Sequence, residues 1–133
     1  MSALLDTHVW VWWLTPGSPL PRAEREALDV KAGRQELFIS AISLWEVQVL
    51  YARKRLELPL PFPDWLTRAA DARMISVMPL SVEVVLALDA LPASFHGDPA
   101  DRLIVATARA HAMPLATHDG AIRRSRAANL WRP

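Results

Sequence analysis

An acidic residue near the start of a helix recurs four times in this chain. Three of those helices are entered from a short apolar stretch that reads as a strand. Asp6 follows Ala3-Leu4-Leu5, and Glu46 lies in Ser43-Leu44-Trp45-Glu46-Val47, soon after Leu37-Phe38-Ile39. Asp101 lies in Asp98-Pro99-Ala100-Asp101-Arg102-Leu103-Ile104, and Asp119 follows Pro114-Leu115-Ala116-Thr117-His118. Strands alternating with helices predict an α/β fold, with a mostly parallel sheet covered on both faces. In such a sheet the strand-to-helix turns gather at the carboxyl ends of the strands, where ligands bind. Four carboxylates in one crevice repel one another unless a cation joins them. A donor set made only of oxygen suits Mg²⁺ or Mn²⁺.

The expected elements follow from local chemistry. Residues 3–5 read as a buried strand. Residues 7–14 read as a helix capped by Asp6-Thr7 and ended by Pro16-Gly17. Arg22 to Ala32 predicts a helix closed by Gly33, and Leu37 to Ile39 a second strand. Ser43 to Arg55 predicts a helix with a stripe of Leu44, Val47, Leu50 and Tyr51. The alternate prolines of Leu58 to Pro63 impose a loop, after which Asp64 is expected to cap a helix to Arg73. Ile75 to Leu80 reads as a third strand, and Ser81 opens a helix to Leu91. Helices at 100–112 and 119–126 flank a fourth strand at 115–117. Asn129-Leu130-Trp131 would add a fifth, edge strand. A chain of 133 residues showing no repeat and no low-complexity segment is expected to form one domain over 1–133.

Composition removes several function classes. Hydrophobic residues form 52% of the chain, which argues against disorder, and the net charge of +1 gives no global nucleic-acid signature. With no cysteine there is no disulfide framework, thiol nucleophile or Cys-ligated metal site. Asp6 and His8 interrupt any signal-peptide core, and no apolar run approaches the ~20 residues that span a membrane, so a cytoplasmic protein without a membrane segment is expected. The chain lacks a glycine-rich phosphate loop and a Gly-x-Ser-x-Gly motif. A phosphodiester is the natural substrate for a carboxylate–metal site that lacks other catalytic groups.

Each acid also has an ordinary structural reading. Ser43-x-x-Glu46 is a capping-box pattern, and Asp98-Pro99-x-Asp101 is a standard helix start. Asp119 and Asp6 suit N-caps equally well. Taken together, the caps are a weaker explanation. Asp6 follows a strand expected to be central, where a carboxylate is costly unless paired or bound to a cation.

The same residues resemble a known family. Leu4-Leu5-Asp6-Thr7-His8, Ser43-Leu44-Trp45-Glu46, the run from His96 through Asp98, Asp101 and Ala108, and Ala116-Thr117-His118-Asp119 resemble the PIN domain. More narrowly they look like the VapC-type ribonuclease toxins of toxin–antitoxin pairs. The match covers nearly the whole chain, and Asp98 to Ala108 is its most specific part. It implies a PIN-like three-layer fold with a central sheet of four to five strands, and a Mg²⁺- or Mn²⁺-dependent endoribonuclease. It places Asp6, Glu46, Asp101 and Asp119 at the acidic positions, with Asp6 and Asp101 as direct metal ligands. Glu46 and Asp119 would bind directly or through water. Thr7, Asp98 and Thr117 would support them, whereas His96 and His118 are expected beside the metal and not on it.

The resemblance also implies RNA as substrate, a cognate antitoxin as partner and a homodimer. Six tryptophans bear on the partner. Trp10, Trp13 and Leu14 would share one helix face, and Trp12 with Val9 another, either filling the core or lining a groove for an amphipathic segment. Arg53-Lys54-Arg55 and the cluster Arg123, Arg124, Arg126 and Arg132 are candidate phosphate contacts, while Arg102 is expected to pair internally with Asp101. Two rival readings remain open: a PIN nuclease of RNA processing without an antitoxin, and a non-catalytic binding module whose acids only cap helices.

Overall fold

A computed structural model describes residues 1–95 and 97–133. The elements run β1 (Ala3–Leu5), α1 (Thr7–Trp13), α2 (Arg22–Gly33), β2 (Leu37–Ser40), α3 (Ala41–Ala52), α4 (Phe62–Ala69), β3 (Ser76–Met78), α5 (Val82–Asp89), α6 (Pro99–Ala110), β4 (Leu115–Ala116) and α7 (Gly120–Ser125). The four strands form one parallel sheet in the order β3-β2-β1-β4. The chain steps outward from β1 to β2 and β3, then crosses back to lay β4 on the other side of β1. The strand order therefore reverses between β1 and β4, which opens a crevice at their carboxyl ends.

Alternation along the strands divides the core into two layers. Leu5, Leu37, Ile39 and Ala116 face one side, where they pack with Val9, Trp10 and Trp13 of α1, Leu28 of α2, Val47 of α3 and Trp65 of α4. Leu4 and Leu115 face the other, with Val84 of α5, Val105 of α6 and Ile122 of α7. This is the period-two geometry of a strand, and it yields a sheet covered by helices on both faces. Among the described residues no helix is long and apolar enough to cross a membrane.

Several boundaries differ from expectation for local reasons. Helix α3 starts at Ala41, capped by Ser40, whose hydroxyl accepts from the Ile42 N–H at 3.2 Å. Ser43 is therefore inside the helix, and the capping box with Glu46 does not form. Pro61 stands at the N-cap of α4, with Pro63 in its first turn, so Asp64 is not the cap. Proline is suited there because the first helical N–H groups have no partner inside the helix. α2 includes Gly33 and is followed by Arg34, and the left-handed turn falls on Gln35 (φ 56°). Strand β3 is shorter than the apolar run suggested. The fifth strand reduces to one bridge between Leu130 and Leu115, so the sheet has four strands. Elsewhere the expected caps hold: Asp6, Ser81, Asp98 and Asp119 each accept a backbone N–H at a helix start.

Candidate functional site

Asp6 leaves β1 at the crevice and is only 5% exposed. Its Oδ1 accepts from the Val9 N–H at 2.8 Å, and its own N–H continues the sheet by donating to Ala116 O at 3.0 Å. Burial pushes its carboxyl above the ordinary carboxylate value. Hydrogen bonds from Thr117 and Val9 and the nearby His8 pull the other way, and Asp119 adds to the rise. Beyond the adjacent strand β4, the Asp119 Oδ1 accepts from the Ile122 N–H at 2.9 Å, and the Asp119 N–H donates to Thr117 Oγ1 at 3.0 Å. Thr117 thus ties Asp6 to Asp119.

The other half of the crevice comes from α3 and α6. One carboxylate oxygen each from Glu46, Asp98 and Asp101 lie within 4.8 Å of one another. Asp98 caps α6, its Oδ1 accepting from the Asp101 N–H at 2.8 Å. The Glu46 and Asp101 carboxylates make no hydrogen bond among the described residues. Asp101 is pushed up to about 7 by burial first, then by Asp98, Asp119, Glu46 and Asp6. All five acids therefore act on one place, and the four neighbouring carboxylates all raise Asp101. Such a donor set, all oxygen and charged beyond what the protein neutralises, fits a hard divalent cation.

A set of buried hydroxyls holds the two halves in register. The Thr7 hydroxyl donates to Ser43 Oγ at 2.9 Å, which joins the residue after Asp6 to the turn that carries Glu46. Ser40, Ser43, Thr7, Thr107 and Thr117 are all buried. Sequence reading found Thr7 and Thr117 but took Ser43 for a cap; its hydroxyl acts across helices, which no local pattern announces. Gly97 is a second such residue. A Cβ there would fall 2.4 Å from the Phe95 ring and 3.2 Å from the Asp101 Cβ, so any other residue would have to displace that ring or shift Asp101.

His118 lies beside the acids with its Nε2 2.7 Å from Glu24 Oε2, a link across 94 residues that sequence reading did not foresee. His96 lies outside the described residues. Arg102 is exposed and forms no ion pair among the described residues, contrary to the expected pairing with Asp101. Arg123 donates to Thr117 O at 3.0 Å and so supports the loop that carries Asp119. Trp10 and Trp13 fill the core, with their indole N–H groups donating to Ala69 O and Asp29 Oδ1, whereas Trp45 is 57% exposed beside Glu46.

Comparison with known proteins agrees with this geometry. The PIN domain family matches residues 3–127. The chain is 38% identical over 126 residues to Ribonuclease VapC22 of Mycobacterium tuberculosis, covering 94% of this chain and 92% of that protein. Among solved structures it resembles a chain of VapBC2 from Rickettsia felis bound to a promoter DNA fragment. The TM-score is 0.75 at 19% identity, over 98% of each chain. It also resembles a chain of a toxin–antitoxin complex from Klebsiella pneumoniae, with a TM-score of 0.60 at 25% identity, over 89% of this chain and 87% of that one. With its parallel sheet, its acid-lined crevice and a family match over nearly its whole length, the chain belongs to the PIN domain family and is a relative of the VapC-type ribonucleases.

Proposed function

We propose that this chain is a metal-dependent endoribonuclease acting as the toxin of a toxin–antitoxin pair, with residues 1–133 forming a single PIN domain that works in the cytoplasm. The observation that carries the reading is the acidic crevice: five carboxylates converge, and burial together with their mutual repulsion lifts Asp101 to about 7. Asp6 and Asp101 would hold Mg²⁺ or Mn²⁺ directly. Glu46 and Asp119 complete its shell directly or through water, and Asp98, Thr7 and Thr117 keep the acids in place. When bound, the cation lowers the pKa of a water and offsets charge on the phosphoryl oxygens. Glu46, on α3 without a hydrogen bond among the described residues, would take the attacking water's proton as the water oxygen bonds to phosphorus. The P–O bond to the leaving oxygen breaks, and that oxygen takes a proton from solvent. Asp6 and Asp119, anchored by their caps, would fix where the cation sits.

The ribonuclease relative supports RNA as substrate, and the toxin–antitoxin neighbours support a protein partner that silences the site. An apolar groove of about 190 Å³, lined by Leu14, Leu60, Trp65 and Met74 among others, suits an amphipathic segment of that antitoxin. A homodimer is the expected assembly, two-fold dimers being the commonest oligomers.

The test is cleavage of total cellular RNA by protein freed of any partner, in Mn²⁺ or Mg²⁺ and in EDTA, beside Asp6→Asn and Asp101→Asn. Discrete fragments that require the metal and both acids are expected. Full cleavage by both variants would remove the reading. A melting temperature that ignores Mn²⁺ would favour acids that merely cap helices, because ligand binding to the native state raises stability.

A further inference from the structure

We propose that a cavity walled by His8, Trp12 and His118 seats one nucleobase of the substrate beside the bond to be cut. The proposal rests on the nuclease reading above and adds a site for the base. The cavity measures about 220 Å³ and is lined by Asp6, His8, Trp12, His118 and Asp119, so it opens from the acidic crevice itself. It is smaller than the ~300–1,000 Å³ that takes a drug-sized ligand, and so suits a single ring system.

Its walls specify what enters. The Trp12 indole packs against two imidazoles, with ring centroids 6.2 Å from His8 and 5.9 Å from His118. The other two tryptophans of α1 use their indole N–H groups inside the protein. Trp12 is only partly buried and makes no such bond among the described residues, which leaves a donor for a base edge. The backbone beneath Trp12 and the His118 ring are both anchored. Arg25 donates to Trp13 O and Trp12 O, Ser18 donates to Trp12 O at 2.7 Å, and Glu24 holds His118 at 2.7 Å. No lysine or arginine lines the cavity, and two carboxylates do. The walls offer a phosphate no lysine or arginine, whereas the aromatic side suits a neutral ring with amino groups. Bases of single-stranded RNA stack on aromatic side chains in this manner. His118, read from sequence only as a neighbour of the metal, becomes part of the base wall.

The probes are the four nucleoside 5′-monophosphates and ribose 5-phosphate, which keeps the sugar and phosphate but lacks the base. Each is titrated into the protein with Mg²⁺ and followed by NMR of the indole and imidazole signals. Nucleotides are expected to move the signals of Trp12, His8 and His118, and ribose 5-phosphate to leave them in place. Trp12→Leu should weaken nucleotide binding about tenfold or more, the scale of losing one stacked base, and leave ribose 5-phosphate unaffected. Trp12→Phe should retain most of the binding. Equal binding of nucleotide and ribose 5-phosphate, or nucleotides that leave all three rings unmoved, would overturn the proposal and assign the aromatic wall to a protein partner. Base-dependent binding by a protein that cleaves no RNA in Mn²⁺ or Mg²⁺ would uphold the pocket and sink the nuclease reading alone.

Discussion

The two halves of the crevice are built differently. Asp6 and Asp119 leave adjacent strands, each accepts a backbone N–H, and Thr117 stands between them. Glu46 and Asp101 project from two helices, carry no side-chain hydrogen bond among the described residues, and are positioned by packing alone. The strand half is ordered before any ligand arrives, because caps and sheet already satisfy part of its charge. The helix half keeps its repulsion, which a bound cation would relieve. A nuclease site can thus hold a rigid reference point and a responsive partner within one cluster.

The largest expected effect tests the responsive half. Asp101→Asn should lower cleavage by on the order of 10³, comparable to removing one group that stabilises developing charge, with the fold intact by circular dichroism. A loss under tenfold would mean that Asp101 does not bind the ion. Next, Gly97→Ala should cost roughly 10- to 100-fold in metal affinity or rate, the range seen when a group supporting a ligand is disturbed. The new methyl must displace the Phe95 ring or shift Asp101, and calorimetric titration with Mn²⁺ reads the loss.

A smaller effect concerns the link between the halves. Thr7→Val removes the donor to Ser43 and should destabilise by about 1–2 kcal/mol in urea unfolding, the cost of a broken buried hydrogen bond. The smallest is a pH effect in metal-free protein. The folded-state value of about 7 for Asp101 exceeds its ordinary 3.8, so the fold binds this proton more tightly than the unfolded chain does. The resulting stability is fully present below about 3.8 and is lost as pH rises through about 7. Asp101→Asn mimics the protonated form. Its stability relative to native should therefore be near equal at pH 4 and higher by on the order of 1 kcal/mol at pH 8, after discounting for the group's partial exposure. Saturating Mn²⁺ should reverse the sign. A flat difference across pH would show that repulsion at Asp101 is negligible.

Much of this was legible in the residues. The parallel sheet followed from strand–helix alternation, and Asp6, Asp98 and Asp119 were recognisable as caps because Asx chemistry at a helix start is local. Convergence on one crevice followed from where the turns of a parallel sheet must lie. What escaped were contacts between distant segments. Ser43 looked like a cap because Glu46 follows three residues later, yet Ser40 takes that role and Ser43 turns to Thr7. The meeting of Glu24 with His118, the closeness of Phe95 to Gly97 and the free edge of Trp12 all depend on how helices pack. Arg102 failed for the opposite reason: adjacency in sequence to Asp101 put its side chain on the far side of the helix turn.

The pairing of β1 with β4 has a consequence for when the protein becomes active. Leu5 lies beside Ala116, so the first strand waits for nearly the whole chain to be made before it gains its neighbour on that side. Asp119 arrives with that last strand. Contacts so distant in sequence form late in folding. A chain still emerging from the ribosome carries Asp6, Glu46 and Asp101 but not the finished crevice. On the nuclease reading, a nascent chain that lacks β4 and Asp119 has an incomplete site, so activity would wait for that segment to fold.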